Sequence, residues 1–376
     1  MDFSFSEEQT LLRNTVQSLL ADKYDFDTRR KIVKSADGWN PAMWKQLAEL
    51  GLLAAPFSEE LGGLGGGAIE TMILMEEFGR HLVVEPFVET VVLAGGFLRE
   101  GGSKAQQEAH IPGIVDGSTV WAFAYAEPQG RYNLADLVTT AKKDGAGYVL
   151  NGFKCVVIAA PWAQKLIVTA RTSGGQRDRD GVSVFIVDKS AAGVSTRDYP
   201  TGDGRRASEI TFENVKVGAD ALIGMEGKGL PLVEKVTDQA IAALSAEAVG
   251  CMGELNKTTV EYCKTRKQFG VPIGKFQVLQ HRMVDMFMAY EQSVSMTYMV
   301  NLKLTEGETE RVKAAAGAKV QIGKAGRFVG QQSVQLHGGM GMTDELNVGH
   351  YFKRLTMIDT QFGNVDHQLK RYSQAA

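Results

Sequence analysis

Four short stretches carry side chains whose types and spacing can do chemistry. The first is DTQFGNVDHQ at 359–368, a Gly-Asn loop running into helical sequence. Asn364 and the backbone N–H groups of a helix start can hold a phosphate there. The residue before Gly363 is Phe362, which does no proton chemistry, so any base must stand elsewhere. The second is TRKQFGVPIGKFQ at 265–277, between two helical patterns. The planar fork of Arg266 suits pyrophosphate oxygens, Phe269 can stack on a ring, and Gln277 can hydrogen-bond a base. The same stretch also reads as a surface turn with one anchoring aromatic. The third is QLHGGMGM at 335–342, whose paired glycines either cap a helix or let a ligand approach the backbone. The fourth, GLGGGA at 63–68, matches G-x-G-x-x-A. That fingerprint needs a preceding strand and a βαβ unit, and helical sequence lies on both sides, so a flexible turn before a helix is the better reading.

The elements that must position these stretches fall into three zones: 1–118 helical, 119–225 β, and 226–376 helical. In the first, Ser6 and Gln9 form a capping box ahead of Leu11, Leu12, Val16, Leu19 and Leu20 at helical spacing. PAMWKQLAELGLL and AIETMILMEEFGRHL are further amphipathic helices, with Gly51 and Gly79 placed as C-cap glycines. The middle zone holds short β-branched and aromatic runs such as KLIVTART and VSVFIVDKS. AKKDGAGYVLNGFK reads there as a Gly-rich turn followed by an Asn-Gly turn. Strands at regular spacing without intervening helices predict a barrel or sandwich. The last zone predicts long antiparallel helices in a bundle, with Met283, Met286 and Met288 as core filling.

Composition narrows the function classes. Hydrophobic residues make up 44% and charged residues 23%, with a net charge of −3 and both signs dispersed. That argues against nucleic acid or an anionic membrane as the main partner. No apolar run approaches the roughly 18 residues that span a bilayer, and the acidic, polar start MDFSFSEEQ does not read as a targeting segment. Cys155, Cys251 and Cys263 lack metal-type spacing and fit a reducing cytoplasm as core residues. No His/Cys/Asp cluster has ligand spacing, so no metal is expected.

Taken in order on an α–β–α plan, AEP (126–128), YVLNGFK (148–154), ITFENVKV (210–217), RKQFGVPIGKFQ and QLHGGMGM resemble the acyl-CoA dehydrogenase family over essentially the whole chain. The resemblance implies an α+β fold: an N-terminal helical domain, a middle β-barrel domain and a C-terminal four-helix bundle. It implies FAD between barrel and bundle, reached by a second subunit's RKQFG and QLHGG segments, with Arg266, Gln268, Phe269, Phe276, Gln277, Gln335, Leu336, His337, Gly338 and Gly339 as the contacts. Asn364 and Asp366 would complete the cofactor contacts, and Asp238 would face substrate. The implied reaction is α,β-dehydrogenation of an acyl-CoA thioester, with electrons passing to an electron-transfer flavoprotein. Such a pocket needs a desolvated carboxylate base and donors to the enolate-like oxygen. The backbone N–H of Phe362 is one such donor.

Several family positions are changed. The usual base position is Phe362; the flavin-facing Thr is Ala126; the W-I-T segment is VVI at 156–158; and a Gly-Ser pair is Arg131-Tyr132, placed to read a polar or bulky acyl tail. An Arg expected after Asp238 is Ile241. These departures resemble the small subunits of two-component acyl-CoA dehydrogenases of the pimeloyl-CoA or steroid side-chain type, which implies a homo- or heterotetramer, the latter with a larger homologous chain that completes the site. Some family members take their base from the first bundle helix, at the position of Ala240. Glu247 lies seven residues later on the same helical face, among small apolar residues, and is the candidate base. A structural Glu paired with a basic group is the competing reading for Glu247. For the chain, a non-catalytic partner subunit and an oxygen-using acyl-CoA oxidase remain the alternatives.

Overall fold

The computed structural model describes residues 4–375. Helices α1 (Glu7–Lys23), α2 (Phe26–Lys34), α3 (Pro41–Glu49), α4 (Ala68–His81), α5 (Gly95–Gly101) and α6 (Lys104–Val115) come first. The capping box of Ser6 and Gln9 opens α1 as the sequence predicts. A fully buried π-helix, Val88–Ala94, precedes α5. Strands β1 (Trp121–Ala124), β2 (Thr140–Asp144), β3 (Gly147–Ile158), β4 (Lys165–Arg171), β5 (Val182–Asp188), β6 (Val194–Pro200), β7 (Arg206–Val217) and β8 (Leu222–Ile223) follow. The chain then returns to helices α7 (Leu230–Thr265), α8 (Gln277–Lys303), α9 (Glu308–His337), α10 (Val348–Thr360) and α11 (Val365–Gln374), with a small hairpin of β9 (Lys267–Gln268) and β10 (Val271–Pro272) after α7. The fold is mixed α+β, with a middle β region between helical ones.

The chain divides into two compact units. One gathers the chain up to Ile32, Ala68–Val83 and Ile241 onward; the other holds Val33–Gly67 and Val84–Ala240. The first 118 residues therefore contribute helices to both units. In the second, the strands pair in the order β6-β7-β3-β2-β4-β5-β8, with β1 parallel to β4. The end strands β6 and β8 do not pair with each other among the described residues. Asn151-Gly152 is no turn. It lies inside β3 at a shift of register against β7, and a Cβ on Gly152 would lie 2.4 Å from Thr139 Oγ1. A bulge and a turn ask for the same residue pair, which is why the sequence signal misleads here.

In the first unit, α4 and α7 touch backbone to backbone. A Cβ at Gly79 would come within 2.0 Å of the Glu247 carbonyl, and one at Gly250 within 1.9 Å of the Glu76 carbonyl. Gly79 thus serves close helix packing rather than a cap. On α8 the methionine expectation holds only for Met286, which is buried. Val278, Val284, Phe287 and Met288 are exposed, leaving an apolar stripe open on that helix. Helical periodicity alone does not distinguish such a stripe from a core face.

Candidate active site

The loop between α10 and α11 is pinned from several directions within the first unit. Phe362 adopts φ +55° and Gly363 φ +103°. A bulky residue in the left-handed region is an outlier that its surroundings must enforce. Buried Gln368 donates from Nε2 to the Phe362 carbonyl at 2.6 Å. Asn364 caps α11, its side chain accepting from the His367 N–H at 3.1 Å. Lys319 on α9 is buried and donates from Nζ to the last carbonyls of α10, Ile358 at 2.5 Å and Asp359 at 2.9 Å. Burial pulls its ammonium down to about 7 against the opposing charge of Asp359. A side chain at Gly363 would collide with His367 and Gln368. The loop is preorganised, and its ring-bearing residue, Phe362, is buried.

The candidate base Glu247 has a buried partner. It is 1% exposed, and both carboxylate oxygens accept from Arg354 on α10: Nε to Oε1 at 2.5 Å and Nη2 to Oε2 at 2.7 Å. A bidentate guanidinium engages both oxygens at once. Glu247 therefore ties α7 to α10 through Arg354, the pairing with a basic group that is the competing reading of its sequence. The sequence hid this because Arg354 comes 107 residues later.

The residues that the sequence suggests for cofactor contacts fall into two groups, which meet where Tyr262 packs on His337 in the first unit. Arg266, Gln268, Phe269, Phe276 and Gln277 are exposed around the β9–β10 hairpin. Phe269, at its tip, is 91% exposed with φ +52° and lies edge-on to Phe276 at 6.1 Å. Tyr262, in the last turn of α7, packs its ring 4.3 Å from that of His337 at the end of α9. Leu336 and His337 are buried, so their side chains anchor the segment. Gly338 and Gly339 are exposed, and a Cβ on either would meet nothing within 4 Å. Arg266 has no ion-pair partner among the described residues. An unpaired guanidinium, two open aromatic faces and an accessible glycine backbone fit a group that carries both a diphosphate and flat rings. Asp366 is exposed on the first turn of α11.

In the second unit, Arg131 is exposed with φ +47°, Tyr132 is partly buried, and Asp238 is fully buried on α7. Ala126 and the bulged Cys155–Val156 step of β3 lie next to a buried pair that the sequence alone does not announce. Lys154 donates to Glu127 at 2.8 Å, and both side chains are fully buried. Glu127 also accepts from the N–H groups of Val138 at 2.7 Å and Thr139 at 3.2 Å. Burial pulls Lys154 down to about 8, with Glu127 opposing the shift. In the sequence the two residues stand within AEP and YVLNGFK, 27 positions apart. A second overlooked pair joins Glu89 on the π-helix to Arg205 at 3.2 Å, both buried. π-helical turns often occur at functional sites.

Family models for the N-terminal, middle and C-terminal domains of acyl-CoA dehydrogenases match residues 6–118, 122–215 and 227–375. The chain belongs to the acyl-CoA dehydrogenase family. It is 28% identical to the probable acyl-CoA dehydrogenase YngJ of Bacillus subtilis over 98% of this chain and 97% of the relative. Its fold matches an FAD complex of PigA with a TM-score of 0.92 at 27% identity, covering 100% of this chain and 98% of that one. It also matches a chain of the ChsE4-ChsE5 complex from Mycobacterium tuberculosis with a TM-score of 0.89 at 25% identity, covering 100% and 98%. This acyl-CoA dehydrogenase family member is an FAD-dependent oxidoreductase, and its general reaction is acyl-CoA dehydrogenation. Among the described residues, no helix is long and apolar enough to cross a membrane, and no group of three His, Cys, Asp or Glu side chains is placed to hold a metal.

Proposed function

We propose that this chain works as one of two homologous subunits of an acyl-CoA dehydrogenase, and that the larger subunit supplies the base for the α-proton. One observation carries the reading: the family's base position is Phe362, and the only other carboxylate considered for the task, Glu247, is committed to Arg354. Bound FAD supplies the hydride acceptor. The residues of this chain have binding and positioning roles. Arg266 takes the diphosphate, Phe269 and Phe276 cover ring faces, and Gly338 and Gly339 offer open backbone. The pinned loop presents the Phe362 N–H toward the thioester oxygen, where a preorganised donor stabilises developing negative charge. Arg131 and Tyr132 meet the acyl tail, together with Asp238.

The open apolar stripe of α8 supports assembly with a homologous chain, since such a face is costly to leave in water. The likeness to a chain of a two-component complex supports the same reading. An electron-transfer flavoprotein is the proposed electron acceptor, and a dicarboxylyl, aromatic or steroid side-chain thioester the proposed substrate class. Co-expression with a larger homologue tests the proposal. The expected outcome is a yellow hetero-oligomer whose flavin bleaches with an acyl-CoA without forming peroxide. A chain that stays monomeric beside every homologue offered, or a flavin that reduces oxygen directly to peroxide, would overturn it.

A further inference from the structure

Within the first unit, the end of α1, the start of α2, the last turn of α4, α7 and the start of α10 enclose a cleft of about 360 Å³ that the dehydrogenase reading does not use. Its size falls within the range of small-ligand sites. Glu77 on α4 lines it and is 1% exposed. One carboxylate oxygen, Oε1, lies 3.4 Å from Arg80 Nε. The other, Oε2, is buried with no hydrogen-bond partner among the described residues. Water stripped from an ionised oxygen is not replaced there, and this burial raises the Glu77 pKa despite Arg80.

A second acceptor faces the same space. Asn347, just before α10, also lines the cleft, and its side-chain Oδ1 is buried without a partner among the described residues. His81 adds a third. Its Nδ1 lies 3.1 Å from the Glu77 carbonyl and donates to it, leaving Nε2 an acceptor while the ring is neutral. Desolvation lowers the His81 pKa and keeps the ring in that form. Glu254 and Asp25 contribute further carboxylates at the rim. Of the two cations, Arg80 is held by Glu76 at 2.5 Å and by Glu77, and Lys257 is turned outward 3.8 Å from Glu254. Two buried acceptors of the lining lack a partner among the described residues, Glu77 Oε2 and Asn347 Oδ1, against one such donor, Arg80 Nε. An ammonium group brings three N–H donors and no acceptor, and the walls of Tyr24, Leu82 and Tyr351 suit an aliphatic stem.

We infer that this cleft binds the ammonium group of a small aliphatic amine, with Glu77 as its counter-ion and Asn347 as a second acceptor. Calorimetry and thermal shift of the full chain with 1,4-diaminobutane test it, against 1,4-butanediol and sodium chloride at matched ionic strength. The amine is expected to bind once per chain and raise the melting temperature, and the diol and the salt are not. A charge-assisted hydrogen bond makes Glu77→Gln weaken binding about ten-fold or more. Asn347→Ala weakens it by a smaller factor, and Lys257→Ala leaves it unchanged or tighter. Where Glu77→Gln does not fold, Asn347→Ala decides. An amine effect no larger than that of salt overturns the inference, as does parental binding by Asn347→Ala or by a folded Glu77→Gln.

Discussion

Replacing Glu247 with Gln separates a clamp from a base. The substitution keeps size and leaves the Arg354 guanidinium buried without its carboxylate. Removing one partner of a buried pair destabilises by about 3–5 kcal/mol, because the remaining charge is left uncompensated. Urea denaturation followed by circular dichroism should therefore place Glu247→Gln about 3 kcal/mol or more below the parent, from the lower end of that range upward. Arg354→Met leaves the opposite charge and should cost a similar amount. The double variant, with neither charge buried, should lose clearly less than the sum, the deficit being the coupling of two contacting residues. Flavin reduction in the assembled enzyme, per folded active site, should stay within a few-fold, about far less than the loss of a base produces. A Glu247→Gln protein as stable as the parent whose flavin reduction drops 10²–10⁴-fold, about what a general base contributes, would refute this reasoning and restore Glu247 as the base.

Other consequences follow from the same geometry. Arg266→Ala should weaken FAD retention on dialysis about ten-fold, since a charge-assisted bond contributes about 1.5–3 kcal/mol; unchanged flavin content removes Arg266 from the site. Gln368→Ala strips the donor from the Phe362 carbonyl and should cost about 1–3 kcal/mol, with faster amide exchange confined to the segment around 361–364. Lys319 is held down to about 7 in the folded chain, below its unfolded value, so the unfolded state binds the extra proton above that pH. The stability difference between parent and Lys319→Met should therefore move in the parent's favour as pH rises above about 7 and be flat below it. A difference that is flat through pH 7–10 would mean that Lys319 stays charged.

The sequence made the order of elements legible because each zone repeats one period many times over: the capping box of α1, the short β runs, the long helices. What it concealed were contacts between distant residues. Arg354 meets Glu247 across 107 positions, and no local pattern announces the meeting. Gly79 looked like a cap because it stands near a helix end, whereas its missing side chain serves the approach of α7. Lys154 and Glu127 sat inside the quoted motifs, yet only the folding of β3 beside the 125–128 turn makes them an ion pair. Among the cofactor candidates, residue type alone placed Leu336 and His337 beside Gly338. Burial divides them into anchor and open backbone.

The central claim is that this chain carries flavin contacts without the base. Anaerobic rapid-mixing of acyl-CoA thioesters with the FAD-loaded chain alone, and with the same chain assembled with its larger homologue, tests it most directly. The account predicts no bleaching of the flavin absorbance in the lone chain and rapid bleaching in the assembly. Bleaching by the lone chain at the rate of the assembly would contradict it.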